Sequence, residues 1–347
     1  MSKTIPTEPI GSIPRPKDLL DAIRSGSPDA AGLMDRAVAD TLRRFEETGS
    51  PVLTDGEQRK PSFATYPIHG LKNLAPDGVV IPFADGHTRR LPVLTAGPFR
   101  YAARAVDDLR AAKKLTRKPL KQAVISASAL SLLYPGGGIP GYPREAFLSD
   151  LVDEAAGDIR PCLDEGATVQ IDFTEGRLAV KLDPSKRLLK SFIDLNNRVL
   201  ARFSAAERRR IGVHTCPGGD RDSTHSADVD YADFLPELFQ LDAGSFFVQL
   251  AGESDRRKAL GILKPFARDG RRIFVGVTDP IARRVETPEE VRDRVLEALE
   301  FIPPGNLGTT DDCGFSPFAD DESTSRDTAF AKIRARVAGT ELAAAGL

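Results

Sequence analysis

The chain of 347 residues has no tryptophan, two methionines, three cysteines and four histidines. Three cysteines are too few, and odd in number, for a disulfide framework, so reduced thiols in a cytoplasmic protein are expected. There is no charge excess: 48 Lys and Arg stand against 50 Asp and Glu, a formal charge of −2. That excludes a protein that coats nucleic acid, which needs a basic excess to neutralise phosphates. No apolar run reaches the ~20 residues that span a bilayer. The opening MSKTIPTEPIGSIPRP lacks the apolar stretch of a secretory signal, so neither a membrane partner nor export is expected. No repeat, low-complexity tract or long linker is visible. What remains is a globular composition, 41% hydrophobic and 28% charged, within the range of folded domains.

Short β-type runs alternate with longer helical ones. The runs are 51–54, 91–95, 122–126, 168–172, 210–214, 246–250, 272–277 and 307–310, rich in Val, Ile, Leu, Phe and Thr and mostly bounded by turn residues. Helix-type segments between them include 106–115, 144–163, 188–203, 231–241, 255–266 and 289–301. Thr287 followed by Pro288, Glu289 and Glu290 reads as an N-cap, a proline at the first helical position and acids on the positive end of the helix dipole. Such alternation demands a parallel sheet, and eight runs favour a closed ring. The predicted fold class is α/β, a (β/α)8 TIM barrel. Residues 1–347 are expected to form a single barrel domain with an N-terminal extension and long loops after the strands. An open doubly wound sheet is the alternative, but no GxGxxG follows the first strand.

In a barrel the residues just after each strand gather on one face. Here they are Asp55, Glu57, Ser126, Ser128, Asp172, His214, Cys216, Gln249, Asp279, Asp311, Asp312 and Cys313. His214 and Cys216 are two apart on one strand, so both side chains point the same way. Imidazole and thiolate suit Zn²⁺, and Cys313 would bring a third ligand across the barrel mouth, leaving one position open. A buried cysteine is more often a small hydrophobe. Cys162, on a helical stripe with Phe147, Leu151 and Ile159, is read that way. The glycine–proline run 135–143 reads as a mobile substrate loop. Phe63, Tyr66, Tyr134, Tyr142 and Phe315 are candidate pocket aromatics.

At these residues the chain resembles the catalytic domain of cobalamin-independent methionine synthases. The resemblance rests on His214-Thr-Cys216, on Asp311-Asp312-Cys313-Gly314, and on Gly276-Val277-Thr278-Asp279 with the following Arg284 to Val291. It also rests on Ile10-Gly11-Ser12, Thr54-Asp55-Gly56-Glu57 and Val169-Gln170-Ile171-Asp172. It runs from about residue 8 to residue 335, and the chain is similar to short, core-type members. The resemblance implies a zinc-dependent transfer of a methyl or related alkyl group from a donor to a small-molecule thiol. It makes His214, Cys216 and Cys313 the zinc ligands. Glu57 and Asp172 fall at the amino group of homocysteine. Ile10 and Ser12 belong to substrate binding, with the Ser12 hydroxyl at the carboxylate. His225 and Asp279 are candidate catalytic residues.

The departures from the family pattern carry information of their own. Gln249 stands where a glutamate completes the resting zinc shell, with Glu253 four residues on as a possible substitute. Asp172-Phe173-Thr174 replaces Asp-Glu-Pro and loses a carboxylate. The tryptophan on which the folate stacks is missing, and its loop reads Ser126-Ala127-Ser128-Ala129. Residues 217–230 lengthen the loop after His-x-Cys and read as a solvated lid, or as a segment that brings His225 or Arg221 to the substrate. Two rivals remain open: an epoxide–thiol transferase of the coenzyme M type, and a non-catalytic zinc-dependent barrel.

Overall fold

The computed structural model describes residues 4–268 and 270–347. Six of the predicted strands form one parallel sheet. They are β1 (Lys121–Ile125), β2 (Thr168–Asp172), β3 (Ile211–Thr215), β4 (Ser245–Val248), β5 (Arg272–Thr278) and β6 (Leu307–Asp311), each hydrogen-bonded to its neighbours in chain order. The helices Ala105–Lys113, Arg144–Asp164, Arg187–Leu200, Tyr231–Leu238, Arg256–Leu263 and Pro288–Leu299 follow the predicted segments. Thr287 caps the last of these as expected, in a reciprocal capping box with Glu290 that satisfies two otherwise orphaned N–H groups.

The first two predicted strands need correction. Run 51–54 contributes a single parallel bridge, Leu53 to Leu120, beside β1. Run 91–95 lies outside the sheet: Val93–Leu94 pairs antiparallel with Leu74–Ala75. At the far edge, beside β6, Thr7 makes a parallel bridge to Thr309, so the segment read as an N-terminal extension supplies a sheet position. The two edge segments meet through Ile13 N donating to Gly56 O (3.0 Å) and Thr54 Oγ1 donating to Gly11 O (2.8 Å). The sheet with its two flanking segments thus fills eight positions of a TIM-barrel-type ring. Pro6 and Pro9 flank the Thr7 bridge. Proline has no N–H to give a ladder, which is why this segment hid from a strand pattern.

The ring is filled by side chains. Phe247 and Phe274 stack with centroids 4.4 Å apart, joined by Ile10. Gly308 and Gly212 admit them: a Cβ would lie 2.3 Å from the Phe274 ring at the first and 2.6 Å from the Phe247 ring at the second. The N-terminal segment is also fixed by charge. Arg336, of the C-terminal helix Arg326–Ala345, donates to Asp311 Oδ1 (3.0 Å) and to Thr7 Oγ1 (2.6 Å), with its side chain fully buried. Arg336→Met would leave the Asp311 carboxylate buried and unpaired, and such a loss costs about 3–5 kcal/mol. A chemical-denaturation midpoint well below that of the parent is expected. An unchanged midpoint would show that the pair does not hold this edge of the sheet.

Cys162 lies where the sequence put it, buried with Phe147, Leu151 and Ile159, its thiol donating to Asp158 O. Among the described residues no helix is long and apolar enough to cross a membrane.

Candidate active site

A cavity of about 480 Å³ opens at the C-terminal ends of the strands. Ser12, Glu57, Asp172, His214, Cys216 and Cys313 share its wall, together with Ile10 and His225. The sequence had drawn these eight from segments far apart in the chain. Apolar side chains complete the wall, among them Phe63, Ile81, Phe83, Leu130, Leu178 and Phe318. Of the five candidate aromatics only Phe63 lines it. The 135–143 loop lines a separate depression with Thr95–Pro98.

His214 and Cys216 project from the end of β3, and Cys313 follows β6. Their donor atoms all lie within 4.8 Å of one another, and the two sulfurs are 3.0 Å apart as free thiols. Both ring nitrogens of His214 are buried without a hydrogen-bond partner. Buried polar atoms are seldom left so, and an imidazole orphaned beside two thiols is the donor set of a metal site. These three residues could hold a metal ion. The Cys216 thiol and burial together push the Cys313 thiol well up. Cys313 therefore resists ionisation without a cation, and a bound cation would favour its thiolate.

Asp172, at the end of β2, stands in register beside His214 and accepts from Gln170 Nε2 at 2.7 Å. Burial pushes its carboxyl up, with His214 opposing. Glu57 sits on a tight turn with φ +56°. Its N–H donates to Asp55 Oδ1 (2.9 Å) and Arg15 Nη2 donates to its carbonyl (2.7 Å). Its Oε1 is 3.7 Å from Lys60 Nζ, while Oε2 has no partner. Burial pushes the Glu57 carboxyl up to about 7, against the pull of Lys60 and with help from Asp172 and Asp55. The Ser12 hydroxyl accepts from Ser316 N at 3.2 Å, which leaves its own O–H to give. The site thus presents two carboxylates and a hydroxyl beside the metal-type cluster.

Segment 217–230 is not a solvated lid. It contains a small hairpin, Gly219–Asp220 with Ser223–Thr224, and Asp220, Ser223, His225 and Ser226 are buried. A second hairpin, Val80–Pro82 with Thr88–Arg90, clasps it. Ala84 N donates to Thr224 O (2.9 Å), and Asp220 takes both His87 Nε2 (2.9 Å) and Arg89 Nη2 (3.0 Å). Arg221 turns away to Asp320. His225 stands edge-on to Phe83, with Nδ1 2.9 Å from Ser226 Oγ. Gly218, at φ +72°, makes room for it, since a Cβ there would lie 1.7 Å from His225 Nε2. Burial, then Lys181 and Arg177, hold His225 down to about 4, so the ring is neutral at physiological pH.

Two candidates lie outside the cavity wall. Gln249 Nε2 donates to Glu253 Oε1 (3.1 Å), which also takes Arg177 Nη1 (2.7 Å). Asp279 accepts from Ile281 N. It borders Gly252, whose N–H, like those of Leu250 and Ala251, donates to Asp312. A residue passed over in the sequence does line the cavity: Glu175, whose Oε1 accepts from Ser126 Oγ at 2.6 Å and from Ser128 Oγ. It restores, three residues after Asp172, the carboxylate lost at 173–174.

A ring of parallel strands with a buried His–Cys–Cys cluster at its C-terminal face defines a barrel with a candidate metal centre. Residues 5–329 match the family described as cobalamin-independent synthase, catalytic domain, and the chain belongs to it. A methionine synthase of Saccharolobus solfataricus is 23% identical over 345 residues, covering 97% of this chain and 94% of its own. Another, of Sulfolobus acidocaldarius, is 26% identical over 318 residues, covering 89% and 85%. A B12-independent methionine synthase structure from Shewanella superposes with a TM-score of 0.75 at 19% identity, covering 98% of this chain and 97% of that one. A putative vitamin-B12 independent methionine synthase from Listeria monocytogenes gives 0.71 at 22% identity, covering 97% and 98%. These superpositions establish the fold. By its family the protein is an enzyme of the methyltransferase type.

Proposed function

We propose that the protein transfers a methyl group to the sulfur of homocysteine in the cytoplasm, with zinc held by His214, Cys216 and Cys313. The observation that carries this reading is the orphaned, buried His214 imidazole beside two free thiols. A thiol of pKa ~8.5 is mostly protonated at neutral pH, and zinc would supply a thiolate without a general base. Glu57 and Asp172 would hold the substrate ammonium and the Ser12 hydroxyl its carboxylate, which aims the sulfur at the cluster. The same two carboxylates disfavour a thiol bearing an anionic sulfonate and no amine, so the coenzyme M-type alternative ranks second. With Gln249 bonded to Glu253 and Glu253 to Arg177, the substrate sulfur would complete the ligand set.

The direct test incubates purified zinc-loaded protein with homocysteine and methyl donors and looks for methionine by mass spectrometry. Methionine formation with none of the donors would reject the reading. Folate binding is expected to be weak or absent, because the chain offers no tryptophan for the pterin to stack on. Calorimetry with methyltetrahydrofolate polyglutamate should show no tight binding. A submicromolar Kd would restore the plain folate-dependent reaction.

A further inference from the structure

Glu175 is a buried acid in the cavity wall that the proposed thiol site does not use. Its two oxygens differ. Ser126 Oγ accepts from Ala129 N (3.1 Å), and Ser128 Oγ accepts from Asn196 Nδ2 (2.6 Å). Each hydroxyl therefore has its own proton free to donate, and both donate to Glu175 Oε1. Oε2 is buried and has no partner. When the carboxyl is protonated the hydrogen must sit on Oε2, since Oε1 is filled by two donors. That O–H finds no acceptor among the described residues, a costly state for a buried donor. A ligand atom that accepts a proton would relieve it.

We propose that Glu175 is the acid that protonates the leaving nitrogen or oxygen of the alkyl donor. This rests on the thiol-alkylation reading above. The sulfur lone pair of the substrate thiolate forms the new C–S bond. The C–N or C–O bond breaks with its electron pair remaining on nitrogen or oxygen, and that atom takes the proton from Oε2. Glu175 is left as a carboxylate bound by two hydroxyls and regains a proton from water. A sulfonium donor leaves as a neutral thioether and needs no acid.

Other groups in the wall are spoken for. His225 is held down to about 4, so at neutral pH it is a neutral imidazole, too weak an acid for this step. Glu57 and Asp172 are assigned to the ammonium. Burial pushes Glu175 up to about 7, against the two serine hydroxyls and with Asp172 adding to the rise. Arg177 on the same helix is turned to Glu253. The acid form is therefore well populated near neutrality.

The test compares the zinc-loaded parent with Glu175→Gln, whose amide oxygen still accepts from both serines. Homocysteine is offered with 5-methyltetrahydrofolate monoglutamate, propylene oxide and S-methylmethionine in turn. The parent is expected to use at least one of the first two, losing rate as pH rises through about 7. E175Q should lower that rate by ~100-fold or more, the usual contribution of a general acid. Ser126→Ala should move the alkaline limb upward, because it removes a hydrogen bond that favours the carboxylate. Infrared difference spectra of parent against E175Q should show a protonated carboxyl at pH 6 that is lost at pH 9, a readout independent of turnover. Three results overturn the proposal while leaving thiol alkylation standing: E175Q rates within threefold of the parent, a parent that uses only the sulfonium, or an ionised Glu175 at pH 6. Failure of the parent to alkylate homocysteine with any donor would instead reject the underlying reading, and this proposal with it.

Discussion

Cys216→Ser and Cys313→Ser are each expected to remove most of the metal from a parent that carries about one zinc per chain. Transfer should fall by on the order of 100-fold or more, since even a residue that only orients a metal ligand is worth 10–100-fold. Serine is close to cysteine in size, so the change tests ligation more than packing. Cys162→Ser is the control. That thiol is buried in the helix Arg144–Asp164 and donates to a backbone carbonyl within the helix, so its replacement should leave the zinc content unchanged. All three variants should keep a cooperative thermal transition. The barrel core comes from strands and helices spread along the chain, and a domain of this size does not depend on a metal to fold. Elemental analysis decides the matter. Full metal content in both Cys216→Ser and Cys313→Ser would end the zinc assignment, whatever the activity.

Period-two alternation made this cluster legible in the sequence. It placed His214 and Cys216 on one side of β3, and the same logic put Cys313 just beyond β6. The six central strands were legible because they are buried on both faces and read as apolar runs. The ring edges were not. A single bridge at Thr7 or Leu53 leaves no repeating pattern, and the prolines around Thr7 argue locally against a strand. The hairpin 80–90 was equally hidden, because its three-residue strands are largely exposed; what holds it is Asp220, 131 residues from Arg89 and 133 from His87. Glu175 sat in plain view after Asp172. Its meaning depends on Ser126 and Ser128 from a different strand-to-helix loop, and no spacing within one segment shows that meeting. Gln249 is the converse case. Its place at a strand end suggested a metal-facing amide, but the side chain is bonded to Glu253, whose own position is set by Arg177.

Glu57→Gln is expected to weaken homocysteine binding by about 2 kcal/mol or more, roughly 30-fold, the scale of losing one charge from a buried pair. A thiol of the same length without an amine should bind this variant nearly as well as it binds the parent. The pH dependence gives a sharper criterion. Glu57 is pushed up to about 7 by burial, so below that pH the free site holds a neutral carboxyl that must lose its proton to receive an ammonium. Homocysteine affinity should therefore fall as pH drops through about 7, by up to tenfold per unit from this group alone. Deprotonation of the thiol adds a slope of the same sign for both ligands, so the difference between the two titrations isolates the carboxyls that face the ammonium, Glu57 and Asp172. In Glu57→Gln that difference should shrink to what Asp172 alone contributes. Stability provides an internal check with a worked sign. A carboxyl whose folded pKa is raised stabilises the native state below its unfolded pKa, and that contribution is lost as pH rises through the folded value. Removing the charge should then leave the ligand-free variant at least as stable as the parent at pH 8, so weaker binding cannot be blamed on misfolding. If the amine-free thiol loses as much affinity as homocysteine does, Glu57 does not read the ammonium, and the assignment of this corner of the cavity to an amino-acid thiol is wrong.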